Sequence, residues 1–197
     1  MRLVLATRNR KKATEIIRVL GDAQVEVLTL DAFPDCPEVE EDGETFEDNA
    51  RKKALTVAAH TGLPALADDS GLEVMALAGE PGVRSARYAG EGADDAANLQ
   101  LLMDRLGENS HRAARFVCVL VWADGAGGSR SFFGTVSGEI THHAKGNNGF
   151  GYDPVFQPTG FDRTFAEMTA DEKDRLSHRG EALRAFAAWY KNMTPGQ

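Results

Sequence analysis

The chain has 197 residues, 42% apolar and 26% charged, and its 22 Lys and Arg stand against 30 Asp and Glu for a net charge of −8. That length is expected to bury about 70% of the unfolded chain's surface, which predicts one globular domain over residues 1–197, built as one body or two packed lobes. No apolar run approaches the ~18 residues of a membrane span, the N-terminus does not read as a secretory leader, and the acidic balance argues against a nucleic-acid polymer as partner, so a cytoplasmic protein is expected.

In chain order, Arg2 to Ala6 (RLVLA) predicts a short strand, and Ala13, Ile16, Ile17 and Leu20 give Asn9–Leu20 a helical period. Gln24 to Leu28 predicts a second strand, and a Pro-containing loop over 31–44 leads to a helix from about Thr45. Thr45 and Asp48 are spaced like a capping box, the apolar stripe is Phe46, Ala50, Ala54, Val57 and Ala58, and Gly62 ends the helix. Pro64 to Ala67 predicts a buried strand that stops at Asp68-Asp69-Ser70-Gly71, a strand-to-loop junction of the kind where open α/β sheets place chemistry. Residues 71–92 are rich in Gly and Ala and give no periodic signal. A helix over 94–106, a hairpin of 115–123 with 129–140, a glycine-rich loop over 142–153, a capping box at Thr169 and Glu172 and a last helix from Ser177 complete an α/β protein with a mixed sheet. Cys36 and Cys118 have no paired spacing and are read as free thiols.

The charge is uneven. Residues 38–48 hold seven acidic and no basic side chains, while residues 1–18 hold six Arg or Lys against Glu15 alone. Such runs are often solvated faces, but an acidic stretch and a basic turn also suit a metal-bound phosphate ligand. Four groups of residues carry chemistry. Thr7 to Lys12 sits at a helix start, where backbone N–H groups and cations favour anions, although no Walker A pattern is present. Glu40, Glu41, Asp68 and Asp69 are hard oxygen donors of the kind Mg²⁺ takes in ones and twos alongside phosphate and water. Gly149 and Gly151 flank Phe150 and permit close approach of main chain and ring to a flat ligand. Lys173 and Ser177-His178-Arg179 lie at a helix start. Each alone is also consistent with a turn, a capped end or an exposed surface, and His60, His111, His142 and His143 are read as structural.

Together, T-x-N-x-x-K at 7–12, EE-x-G-x-TF-x-x-NA at 40–50, ADDSGL at 67–72, SARY at 85–88, GFGYDP at 149–154 and SHRG at 177–180 resemble the inosine triphosphate pyrophosphatase family, and within it the bacterial XTP/dITP diphosphatases. The likeness runs from Leu3 to about Tyr190. It implies a two-lobed α/β fold, with a long central mixed sheet flanked by helices and an inter-lobe nucleotide cleft, and a homodimer. It also implies Mg²⁺-dependent hydrolysis of ITP, dITP or XTP to the monophosphate and pyrophosphate, which would cleanse the nucleotide pool. On this sequence the resemblance implies that Thr7, Asn9 and Lys12 bind the triphosphate. The chain departs from the family in Arg8, where many members have a small residue, and in Arg10-Lys11, which make the turn unusually basic, and these three are expected among the substrate-binding residues. Glu40 and Asp69 would hold the metal, and Asp69 would also accept the proton of the attacking water. Ser70 would touch the nucleotide, Phe150 would stack on the base, and Gly151, Tyr152 and Asp153 with His178 and Arg179 would read its edge, while Lys173 completes the anion site. Spacing does not separate Glu40 from Glu41. A related enzyme for pyrimidine or modified nucleotides is disfavoured by the lack of S-x-S-x-x-R at the N-terminal turn, and a nucleotide sensor without catalysis by the presence of Glu40, Asp68 and Asp69.

Overall fold

Leu3, Val4 and Leu5 are fully buried, so the first strand, β1 (Arg2–Leu5), has core on both faces. The computed structural model describes residues 2–21 and 25–193. Helix α1 (Arg10–Leu20) turns Ile16 and Leu20 inward, and β2 (Glu26–Thr29) lies parallel to β1 with Leu3 opposite Val27. The expected start of that strand, Gln24, lies outside the described residues. Helix α2 (Phe46–Thr61) begins at Thr45, whose hydroxyl accepts the Asp48 N–H, and ends on Gly62 at φ +65°, the left-handed geometry that glycine tolerates.

The next strand corrects the sequence expectation. β3 runs from Ala65 to Val74 and passes straight through Asp68-Asp69-Ser70-Gly71 instead of stopping before them. Asp and Gly disfavour strands, but both carboxylates here have side-chain partners from other elements, and the backbone is left to the sheet. Residues 71–92, which carried no periodic signal, contain 3-10 turns at Met75–Leu77 and Gly82–Arg87.

The remaining elements are α3 (Asp95–Leu106), capped by Asp94, β4 (Ala113–Ala123), β5 (Ser129–Ile140), β6 (Phe156–Pro158), α4 (Ala170–Leu176) and α5 (His178–Met193). β6 is too short for a periodic signal and was not anticipated. Ser177 closes α4, its N–H donating to the Lys173 carbonyl, and α5 starts one residue later. The strand order is β2-β1-β3-β4-β5-β6, with β1 parallel to β2 and β3 and β5 antiparallel to β6. The expected mixed sheet flanked by helices is what forms. Among the described residues no helix is long and apolar enough to cross a membrane.

The chain divides into two compact units. The first comprises residues 1–69, 118–134 and 179–197, and the second 70–117 and 135–178. Each has its own core. In the first, Leu3, Leu5, Leu66 and Leu120 pack with Ile16, Leu183 and Phe186, and Trp122 meets Trp189 edge-on at 5.1 Å. In the second, Leu72, Leu102 and Ile140 pack with Phe116, Phe156 and Phe165, with Phe116 edge-on to Phe156 at 4.7 Å. Burial of this order supplies the main stabilisation of each unit. Both cysteines are buried free thiols.

Candidate active site

In the first unit, the turn after β1 is built from its own side chains. The Thr7 hydroxyl accepts the Asn9 N–H at 3.1 Å, and Asn9 Oδ1 accepts the N–H groups of Lys11 and Lys12 at 3.0 and 3.1 Å, capping α1. Arg8 reaches away to the loop over 33–44, donating from Nη2 to the Cys36 carbonyl at 2.8 Å. Arg10 and Lys11 are exposed. Lys12, one helical turn in, points to β3 and sits 2.6 Å from Asp68 Oδ1.

Asp68 is the hub of a buried ionic cluster. Arg179 of α5 donates from Nε to Asp68 Oδ2 at 3.1 Å, the Cys118 thiol donates to the same oxygen at 3.1 Å, and Arg179 Nη1 pairs with Glu15 of α1. Burial opposes the Asp68 charge, but Arg179 and Lys12 outweigh it and hold the carboxyl well below the usual range. Burial likewise opposes the Lys12 charge, and Asp68 outweighs it, leaving the ammonium above its ordinary value. Burial and Asp68 push the Cys118 thiol well up, so it is an inert core group.

Strand alternation gives Asp69 different neighbours from Asp68. Lys53 of α2 lies 3.9 Å from Asp69 Oδ1 and also donates to Glu41 Oε1 at 2.5 Å and to the Asp68 carbonyl at 2.8 Å. Burial raises the Asp69 carboxyl, Lys53 and Lys12 pull it back, and Glu41 adds to the rise; the net effect is a carboxyl above its ordinary value. Glu40 is exposed, whereas Glu41 is half-buried beside Lys53. The loop bearing both glutamates is pinned at Gly43, whose N–H donates to the buried Asn49 Oδ1 at 2.8 Å, and a Cβ at Gly43 would lie 2.7 Å from that oxygen. Lys53 was missed from the sequence, yet it had a signal. It lies seven residues after Phe46 and three after Ala50, on the same stripe, where a buried lysine needs acidic or carbonyl partners.

In the second unit, the loop over 142–154 carries the glycines. Gly149 and Gly151 have φ of +74° and +62°, and a Cβ at Gly149 would lie 2.0 Å from Asp153 Oδ2. That carboxylate oxygen accepts the Phe150 N–H at 2.9 Å and lies 2.6 Å from Lys173 Nζ. The Lys173 ammonium also sits 4.9 Å from the centre of the half-buried Phe150 ring. Tyr152 is buried and donates its hydroxyl to the Ser85 carbonyl at 2.9 Å. The buried His178 ring stacks on Phe116 at 4.7 Å. Ser70, on β3, is half-buried. The second unit thus brings together Phe150, Asp153 and Lys173, and the first brings together Lys12, Asp68, Asp69, Glu41, Lys53 and Arg179.

Among the described residues no group of three or more His, Cys, Asp or Glu forms a metal cage. Glu41 and Asp69 around Lys53 form a two-carboxylate set in which the Glu41 charge raises Asp69, and a divalent cation that takes its remaining ligands from phosphate and water fits such a donor set.

The model of the Ham1 family matches residues 3–189. The chain belongs to the Ham1 family. Among relatives, a dITP/XTP pyrophosphatase of Syntrophobacter fumaroxidans is 54% identical over 181 residues, 92% of this chain and 78% of that protein. One from Streptomyces avermitilis is 50% identical over 187 residues, 93% of this chain and 94% of the relative. Of solved structures, a Ham1 protein from Coxiella burnetii matches with a TM-score of 0.89 at 40% identity, covering 98% of this chain and 99% of that one. The Ham1 protein of Staphylococcus aureus matches with a TM-score of 0.88 at 39% identity, covering 98% and 100%. The Ham1 fold therefore accounts for nearly the whole chain.

Proposed function

We propose that this Ham1 protein hydrolyses the nonstandard purine nucleoside triphosphates ITP, dITP and XTP to the monophosphate and pyrophosphate. The relatives named dITP/XTP pyrophosphatase support the substrate class. The observation that carries the chemistry is the division of labour between neighbouring carboxyls, Asp68 locked by Lys12 and Arg179 and Asp69 raised beside Lys53 and Glu41. In this reading the enzyme is a cytoplasmic homodimer that uses Mg²⁺.

Asp69 orients a water molecule and takes its proton as the oxygen attacks the α-phosphorus. The bond from the α-phosphorus to the bridging oxygen breaks, and pyrophosphate leaves. A carboxyl raised by burial is better matched to that proton than an exposed one. Lys12 and Lys53 offset the charge that builds on the phosphate oxygens, and Thr7 and Asn9 keep the turn that presents Lys12 in place. Arg8 is proposed to tether the loop that bears the glutamates. Glu41 and Asp69 would hold Mg²⁺, and the position of Glu41 beside Lys53 supports it over Glu40. Bound there, the ion supplies Lewis acidity toward the phosphate oxygens.

Phe150 of the second unit is proposed to stack on the base, with Ser70, Gly151, Asp153 and His178 toward its edge and Lys173 holding Asp153, while Arg179 stays in the buried cluster with Asp68 and Glu15. A site that donates to O6 and accepts from N1–H leaves both groups unpaired against a 6-amino purine, a mismatch that can cost a factor on the order of 10⁴. Hydrolysis in ¹⁸O-water tests the mechanism. The label is expected in the monophosphate, and label in pyrophosphate would mean attack at the β-phosphorus.

A further inference from the structure

SARY, at 85–88, has no role in the chemistry above. Its Ser85 is 8% exposed and uses both its hydroxyl and its carbonyl inside the second unit. The hydroxyl accepts the Leu72 N–H of β3 at 2.9 Å and donates to the Gly82 carbonyl at 2.6 Å, which fixes the 3-10 turn Gly82–Arg87 onto the strand. The Ser85 carbonyl accepts the Tyr152 hydroxyl at 2.9 Å. Behind the turn, buried Asn98 of α3 donates to the Ala86 carbonyl at 3.1 Å and accepts the Ala89 N–H at 2.8 Å. The segment around Ser85 is therefore a fixed platform, held from β3 on one side and α3 on the other.

The loop over 146–154 needs such a platform. Its three glycines, Gly146, Gly149 and Gly151, all have positive φ, so its course depends on the groups packed around it. Tyr152, 4% exposed, is its anchor on that platform, while Asn148, whose N–H and Nδ2 donate to the Ala166 and Met168 carbonyls, and the Asp153–Lys173 pair tie it elsewhere. Burial, with Tyr88 and Asp95 nearby, pushes the Tyr152 phenol above its ordinary value, and it stays a donor to Ser85.

We propose that Ser85 and Tyr152 are positioning residues, a strut that runs from β3 through the 82–87 turn to the loop of Phe150 and sets where that ring stands for a purine base. Tyr152 acts through its hydroxyl on the Ser85 carbonyl and not on the base edge. The proposal rests on the reading of Phe150 as the base-stacking residue.

The test pairs Tyr152→Phe, which removes only the hydroxyl, with Ser85→Ala, which keeps the carbonyl but frees the turn. Two readouts are taken: amide hydrogen exchange over 146–153 in nucleotide-free protein, and steady-state kinetics on dITP. Each variant is expected to speed exchange in that loop about tenfold and to raise KM severalfold, with kcat falling by less than KM rises. The double variant should be no worse than the worse single one, because both cut the same strut. Wild-type exchange in Tyr152→Phe, a fall in kcat at unchanged KM, or effects that multiply in the double variant would each overturn it. Exchange in the free protein reads the strut whether or not dITP is turned over, so a wild-type protein inert toward dITP would count against the proposed function and leave the strut to be judged on exchange.

Discussion

Asp68 and Asp69 are adjacent on β3 and have different partners, and the two positions respond differently to the same change. Asp69→Asn removes the proposed proton acceptor, one proposed Mg²⁺ ligand and the charge facing Lys53. It is expected to lose dITP turnover by at least ~100-fold, as general bases contribute factors of this order, while keeping the wild-type urea midpoint and still binding dITP by calorimetry. Full activity in that variant would remove Asp69 from the mechanism. Asp68→Asn leaves Arg179 buried and Lys12 half-buried with Glu15 and Asp69 as the carboxylates still facing them. Breaking a buried pair in this way costs about 3–5 kcal/mol, so urea unfolding should show a large loss of stability before any assay is run. A midpoint within error of wild type would mean that the cluster does not stabilise the fold. At this scale the sequence announced the acidic and basic residues but not their pairing. Lys12 and Asp68 are 56 positions apart and Arg179 a further 111, and nothing local distinguishes an Asp that locks a cluster from one that handles a proton. Lys53 was legible only to a reader who asked why a lysine sits on an otherwise apolar stripe.

Elements were read best where a capping residue marks them. Thr45 starts α2, Asp94 starts α3, and the Thr169–Glu172 box starts α4, all as spacing predicted. The Thr169 N–H, then Arg163 and the Thr169 hydroxyl, hold the Glu172 carboxyl down to about 2. A carboxyl depressed on folding contributes stability above its unfolded value of about 4.3, and that contribution disappears as pH falls through the folded one. The difference in urea midpoint between wild type and Glu172→Gln should therefore be largest near pH 6 and shrink between about pH 4 and 2. A difference independent of pH would show that the charge of Glu172 is not what stabilises the cap. Elements were misread where tertiary partners override local preference. Asp68-Asp69-Ser70-Gly71 has the composition of a turn, yet Lys12, Arg179 and Lys53 engage its carboxylates and β3 continues to Val74. β6 is three residues long and exists only as the antiparallel partner of β5, a pairing no periodicity can reveal.

For the whole molecule, the net charge of −8 and the sign of the site are different quantities. The acidic run over 38–48 and the basic run over 1–18 nearly account for one another, and in the first unit they supply Glu41 and Lys12 to opposite sides of one strand's chemistry. Local charge, not the total, governs binding of an anionic nucleotide. The proposed homodimer predicts sedimentation at twice the 21.3 kDa of the chain, and a species at the single-chain mass would remove it from the account. The central claim is the reaction itself. Purified protein with Mg²⁺ should release pyrophosphate from dITP and XTP at least ~100-fold faster than from dATP or dGTP, the order expected of a site that leaves buried polar groups unpaired against the wrong base. Release of orthophosphate, or equal rates on all four nucleotides, would contradict it.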